Sequence, residues 1–222
     1  MILRKRIFEK AAPSKDAQKI YVFCEGDTRE KDYFDFFEGL SSNLEIIPLA
    51  PYDHKSSPNN LMMYAESLFN GDSPTYQLDY QQKDMVWFVV DTDQWAENGL
   101  IDMLREYCDK ANDGNSYFAW RVAQSNPSFE IWLYYHVYEN APNDKDVNEY
   151  SSFKDFVNSK ITGGFDSRSM PIYIEQAIVN SSHNFKKEEG SPAKYSTEVH
   201  FLANDIVKYS GRELQIKKRT LL

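Results

Sequence analysis

The stretch Lys19-Ile-Tyr-Val-Phe-Cys-Glu25-Gly26-Asp27-Thr-Arg-Glu30-Lys-Asp-Tyr33-Phe34-Asp-Phe-Phe37 decides the fold. Ile20 to Cys24 is a short apolar run rich in β-forming residues, the pattern of a strand covered on both faces. Gly26 permits a tight turn, and Asp27 with Glu30 has the spacing of a capping box. Tyr33, Phe34, Phe37 and Leu40 then recur at helical spacing. The reading is strand, turn, then helix through about Leu40, with Glu25 left at the carboxyl end of the strand. In open α/β sheets ligands gather at that edge.

Downstream the alternation repeats. Leu44 to Leu49 is a second apolar run, and Pro58 opens a helical pattern that stops at Asn70-Gly71. Met85 to Val90 is the most strand-like run, and it ends at once in Asp91-Thr92-Asp93. Leu100 to Ala111 has helical spacing. Tyr117 to Ala123 reads as a fourth strand reaching Gln124-Ser125-Asn126-Pro127, where a helix opens with Pro127 at its first position. Four strands interleaved with helices imply an α/β fold with a mostly parallel four-stranded sheet flanked by helices. After Tyr138 the rhythm changes to three short helical patterns over 152–160, 171–180 and 197–209. The organisation expected is a basic arm over 1–18, a core over 19–138 and a helical C-terminal region over 139–222 packed on that core. The arm carries Arg4, Lys5, Arg6, Lys10 and Lys15, side chains suited to phosphate contact.

With 222 residues and 41% apolar content, the chain can bury a core as one large domain. A net charge of -9 and a pI near 5.0 exclude a uniformly basic nucleic-acid-binding surface but leave room for a local basic path. Cys24 and Cys108 form neither a disulfide framework nor a metal-site spacing. No apolar run reaches the roughly 18 residues needed to span a bilayer, and the N-terminus lacks the apolar core of a signal peptide. A soluble, cytoplasmic protein with no membrane partner is the expectation.

The chemistry is expected where strand ends converge. Glu25, the pair Asp91 and Asp93, and the Ser125-Asn126-Pro127 turn all fall at strand carboxyl ends, which share one edge in a parallel sheet. Gathered carboxylates raise one another's pKa unless a cation lies between them. Hard oxygen donors at this density suit Mg²⁺ or Mn²⁺, the usual equipment of phosphoryl transfer. Each residue also has a plainer reading. Aspartates after strands form turns, Glu30 completes a capping box, and Glu130 suits the first turn of a helix. His136, amid Trp132, Leu133 and Tyr135, reads as a core histidine, while His54 and His183 lie in polar loops. A base-stacking platform is disfavoured because Tyr21, Phe23, Trp87 and Phe88 sit in buried strands.

With these motifs in hand, the chain resembles the RloB-like family, whose fold is similar to the Toprim domain. The matching segments are Val-Phe-Cys-Glu25-Gly26-Asp-Thr28-Arg-Glu30-Lys-Asp-Tyr33-Phe34, then Phe-Val-Val-Asp91-Thr-Asp93, then Ser125-Asn126-Pro127-Ser-Phe129-Glu130-Ile-Trp132-Leu133-Tyr-Tyr-His136. A fourth is Ser196-Thr197-Glu-Val199-His200-Phe-Leu202. Tyr195 stands where a proline often precedes Ser-Thr, and Arg29 interrupts the Thr-Glu pair common in the first motif. The resemblance implies a Toprim-like, metal-dependent nuclease of bacterial phage defence and abortive infection, acting on DNA or RNA beside an ATPase partner of the AAA or ABC type. It implies Glu25 as general acid/base, Asp91 and Asp93 as Mg²⁺ ligands with Glu25, and Glu130 and Glu30 as supporting acids. Ser125, Asn126 and His200 are implied at the substrate edge. A different class remains open, a non-catalytic adaptor that keeps the fold to bind an ATPase or nucleic acid.

Overall fold

The computed structural model describes residues 7–92, 95 and 98–221; Asp93 and the basic cluster Arg4-Lys5-Arg6 lie outside them. Strand β1 (Gln18–Cys24) is followed by helix α1 (Arg29–Asp35), strand β2 (Leu44–Leu49) and helix α2 (Pro58–Phe69). Strand β3 (Met85–Asp91), helix α3 (Leu100–Asn112) and strand β4 (Trp120–Ser125) complete the sheet, which is parallel throughout in the order β2-β1-β3-β4. The chain leaves β1 to one side for β2 and returns to its other side for β3. The carboxyl ends of β1 and β3 therefore flank the point where the strand order reverses, the place where open α/β sheets bind ligands.

Alternation along the strands divides the core. Ile20, Val22, Trp87 and Val89 face one layer, where Phe34, Phe37, Trp132 and Leu202 pack. Tyr21, Phe23, Phe88 and Val90 face the other, against Leu61, Ala65, Ile101 and Leu104. Strands covered on both faces must be apolar at every position, as every residue of β3 is buried. Beyond β4 come the short helices α4 (Glu130–Tyr134), α5 (Asp144–Val147) and α6 (Phe153–Lys160), then α7 (Ile174–Asn184) after a 3-10 turn at Met170–Tyr173. A two-stranded hairpin, β5 (Lys187–Glu188) and β6 (Ser191–Pro192), precedes the long helix α8 (Val199–Leu221). Among the described residues no helix is long and apolar enough to cross a membrane.

Several local expectations are corrected. α1 has Thr28 at its N-cap without a side-chain cap, so Asp27 and Glu30 form no capping box. Asp27 instead accepts from, or pairs with, His54 Nδ1 at 2.7 Å, and Glu30 turns inward. α1 ends at Asp35, not Leu40, because the following bonds tighten to i, i+3 spacing at Phe37→Phe34 and Leu40→Phe37. β4 starts at Trp120: the Tyr117 hydroxyl donates to Asp84 O at 2.6 Å and Phe118 faces solvent. Pro127 does not open a helix. The Asn126–Pro127 bond is cis, and α4 begins at Glu130 after Asp91 has taken the Phe129 N–H. α8 runs past Tyr209 because Ile206 and Leu214 continue its buried face across Gly211.

β4 is an edge strand, and its open side is plugged. The Asn112 carboxamide donates to Trp120 O at 2.8 Å and accepts from Trp120 N at 2.9 Å, the two bonds a neighbouring strand would make. Farther along, Glu198 N donates to Gln124 O at 2.8 Å and Glu198 Oε2 accepts from Gln124 N at 3.2 Å. Exposed edges template unwanted pairing, and covering them removes the hazard.

Candidate active site at the carboxyl edge of the sheet

Glu25 is the first residue after β1, and its backbone still pairs with β3 through Val89 O at 3.1 Å. Its side chain curls over the end of β3, where Oε2 accepts the Asp91 N–H at 2.8 Å. Oε1 accepts from Trp95 Nε1 at 2.7 Å. Asp91, the last residue of β3, is 6% exposed, and its Oδ1 accepts the Phe129 N–H at 2.7 Å. Two acids far apart in sequence thus share the edge because parallel pairing sets Cys24 opposite Val89, and β3 runs two residues farther to Asp91 while Glu25 folds over its end.

A second pair of acids lies beside the first. Glu130, 2% exposed at the start of α4, has Oε1 on Arg29 at 2.6 Å, and its Oε2 accepts from the Ser128 hydroxyl at 2.6 Å. Glu30 is 7% exposed, and burial first, then the Glu130 charge, pushes its carboxyl above the ordinary glutamate range. Its carboxylate lies directly over Gly26, in space that any Cβ at that position would occupy. The Arg29 guanidinium reaches from solvent to the buried Glu130, with its own side chain 39% exposed.

The remaining candidate residues serve the framework around this edge. Ser125 is fully buried, its hydroxyl shares a hydrogen bond with Thr197 Oγ1 at 2.8 Å, and its carbonyl accepts from Thr92 N and Oγ1. Asn126 donates through Nδ2 to Pro192 O at 2.9 Å and through its backbone to Ser196 O. His200 is buried, with Nδ1 2.7 Å from Thr197 O, and burial lowers its pKa. Its ring packs on Phe185 and Phe201. His136 is a core residue: Nδ1 meets Trp132 O and Nε2 meets the Tyr33 hydroxyl.

Beside the β3 and β4 ends opens a cleft of about 650 Å³, lined by Thr92, Gln124 and Asn126 on the sheet side and by Asp102, Glu188 and Glu189 opposite. Behind it, Arg105 donates to both Gln124 Oε1 at 2.9 Å and Glu198 Oε2 at 2.7 Å. Trp95, Arg29 and Ser128 were not legible as site residues. Trp95 carried one signal, a large aromatic in a polar loop two residues after Asp93.

Among the described residues no group of three or more His, Cys, Asp or Glu is arranged to hold a metal ion. Glu25 and Asp91 bring two carboxylates to one edge, and Asp93 lies outside the described residues. The donors these two residues offer are carboxylate oxygens, the ligand type that suits hard divalent cations. Comparison with curated proteins and with solved structures returned no match. A family model described as RloB-like protein matches residues 20–206, most of the chain, and the protein belongs to that family.

Proposed function

We propose that this chain is a divalent-metal-dependent phosphodiesterase acting on nucleic acid, with Glu25 and Asp91 at its centre. The observation that carries the reading is the 2.8 Å bond from Asp91 N–H to Glu25 Oε2 at the switch point of the sheet. Mg²⁺ or Mn²⁺, held by Glu25, Asp91 and Asp93, would supply Lewis-acid polarisation of the phosphate and a more acidic bound water. The chain supplies the rest. Asp91 N–H and Trp95 Nε1 aim the Glu25 carboxylate, the acid/base of the reaction. Phe129 N–H fixes Asp91. Glu30, whose carboxyl pKa burial raises above the ordinary glutamate range, stands beside Glu130 as a supporting acid at the same edge. A defence role beside an ATPase follows from the family resemblance.

The test is hydrolysis. Plasmid, single-stranded DNA and tRNA are incubated with the protein, alone and with a co-expressed ATPase, in Mg²⁺ or Mn²⁺. Cleavage lost in Asp91→Ala and Glu25→Gln supports the proposal, and cleavage equal to wild type in those variants overturns it. A second reading, a non-catalytic adaptor, is favoured by one observation. Glu25 and Asp91 also act as staples, tying β1, β3, Trp95 and the Phe129 turn together. Divalent ions raise the melting temperature of a metal site and leave an adaptor's unchanged.

A further inference from the structure

A second cleft lies at the other end of β4, on the open flank of the sheet. It has a volume of about 540 Å³, and Phe118, Trp120, Arg121, Lys187 and Phe201 contribute to its walls. Phe118 is 64% exposed and Phe201 43%, so two large rings from separate elements face solvent across one concavity. Such exposed aromatics carry a cost in water unless a partner covers them.

The cations of the cleft are held from behind. Lys187 Nζ is 2.9 Å from Glu198, Arg105 is 2.7 Å from the same carboxylate, and Arg121 is 3.7 Å from Asp205 while stacking over Trp87 at 5.3 Å. The Glu198 side chain is 3% exposed and that of Lys187 46%, so the carboxylate lies inside and the ammonium outside. Asp109 is the acid on the cleft's own wall.

The cationic character continues along α8. Phe201, Lys208, Arg212 and Arg219 are all exposed, and their spacings of seven, four and seven residues align them on one face at 3.6 residues per turn. That line extends about 27 Å from the cleft at 1.5 Å per residue. In a chain of net charge -9, it is a local basic path beginning at an aromatic cleft.

We propose that this surface, Phe118, Phe201, Arg121 and Lys187 leading to Lys208 and Arg212, is a track for single-stranded nucleic acid. Flat rings give sequence-tolerant stacking for unpaired bases, and flanking cations follow the phosphates. A closed duplex offers those rings no free base face, and a membrane surface does not enter a concave cleft. β4 runs from this cleft to Ser125, which sits level with Asp91 in the pairing of β3 and β4. Glu198 and Thr197 cover the β4 edge at Gln124 and Ser125, so a strand bound in the cleft reaches the edge that holds Glu25 and Asp91 by passing over them. The inference rests on the proposed activity for its purpose but not for its test.

Binding is measured with EDTA present, so that no hydrolysis enters. Fluorescence anisotropy of a labelled 20-nucleotide oligo(dT) is followed across a salt series for wild type, Phe118→Ala/Phe201→Ala and Lys208→Gln/Arg212→Gln. The ring variant should lose roughly tenfold or more in affinity. The cation variant should lower the salt slope by about 1.4, the value for two phosphate contacts on a single strand. Wild-type affinity in both variants, stronger binding of the matching duplex, or binding only to vesicles of anionic lipid would each overturn the track. Oligonucleotide binding without hydrolysis in Mn²⁺ would sink the catalytic reading and leave the track standing. Hydrolysis abolished by Asp91→Ala but unaffected by the ring and cation variants would do the reverse.

Discussion

A Cβ placed on Gly26 would overlap the Glu30 carboxylate, so the turn after β1 has glycine where a buried carboxylate occupies the side-chain space. Gly26→Ala must therefore expel Glu30 from its pocket or shift the turn that carries Glu25. The atoms it meets are the far end of a flexible side chain, so we expect Gly26→Ala to cost about 1 kcal/mol, the low end for overpacking, as the Glu30 carboxylate is displaced. In Gly26→Ala/Glu30→Ala, with the carboxylate gone, most of that cost should vanish. A double-mutant cycle in urea measures the coupling, and additive costs would show that Glu30 is not what excludes the methyl group.

Glu30 also makes stability depend on pH. Burial raises its folded pKa above the ordinary 4.5, so the folded state binds this proton more tightly than the unfolded one. Its contribution is present in full below about pH 4.5 and is lost as pH rises through the raised value. Glu30→Gln keeps the shape without the charge. It should melt higher than wild type at pH 7, with the difference closing near pH 4. A variant that melts lower at pH 7 would mean that the ionised carboxylate is stabilised in place.

Much of the fold was legible because β1, β2 and β3 are apolar runs with sharp polar ends, and a doubly covered strand admits little else. β4 was displaced in the reading because Tyr117 and Phe118 look like strand residues. One uses its hydroxyl to tie Asp84 and the other faces out. Lys187–Pro192 is too short and polar to show a strand pattern. At the edge, Glu25 and Asp91 could be named because an acid ending a buried strand has a defined position. Trp95 could not, since its indole reaches Glu25 only through the path of the loop. Ser125 and Asn126 show the other limit. Residue type reveals hydrogen-bonding capacity but not its partners, which here are Thr197 for the Ser125 hydroxyl and Pro192 O for Asn126 Nδ2.

The acid limb of unfolding should carry the signature of His136. Burial lowers its pKa from 6.5 to about 3, so the fold holds the neutral imidazole. A depressed folded pKa contributes stability above pH 6.5 that is lost as pH falls toward 3. The slope from this one group approaches ~1.4 kcal/mol per pH unit. Tyr33→Phe/His136→Phe removes both members of the buried pair and should flatten the stability profile between those limits. A slope unchanged from wild type would place the acid sensitivity elsewhere.

Asn112 substitutes for a missing strand at Trp120. Asn112→Ala leaves a donor and an acceptor at the sheet edge without it, at about 1–3 kcal/mol for each group that stays dry. We expect a lower melting temperature together with concentration-dependent association through the freed edge. Light scattering across a dilution series reads the association. A destabilised variant that stays at wild-type mass would limit Asn112 to stability alone.

The most direct measurement is Mn²⁺ binding by electron paramagnetic resonance, using the full chain and its Glu25→Gln and Asp91→Asn variants. These substitutions keep side-chain size and remove charge. The account expects stoichiometric Mn²⁺ uptake by wild type, a rise in its melting temperature, and loss of both in either variant. Wild type that takes up no Mn²⁺, or variants that take it up as wild type does, would contradict a metal centre at Glu25 and Asp91.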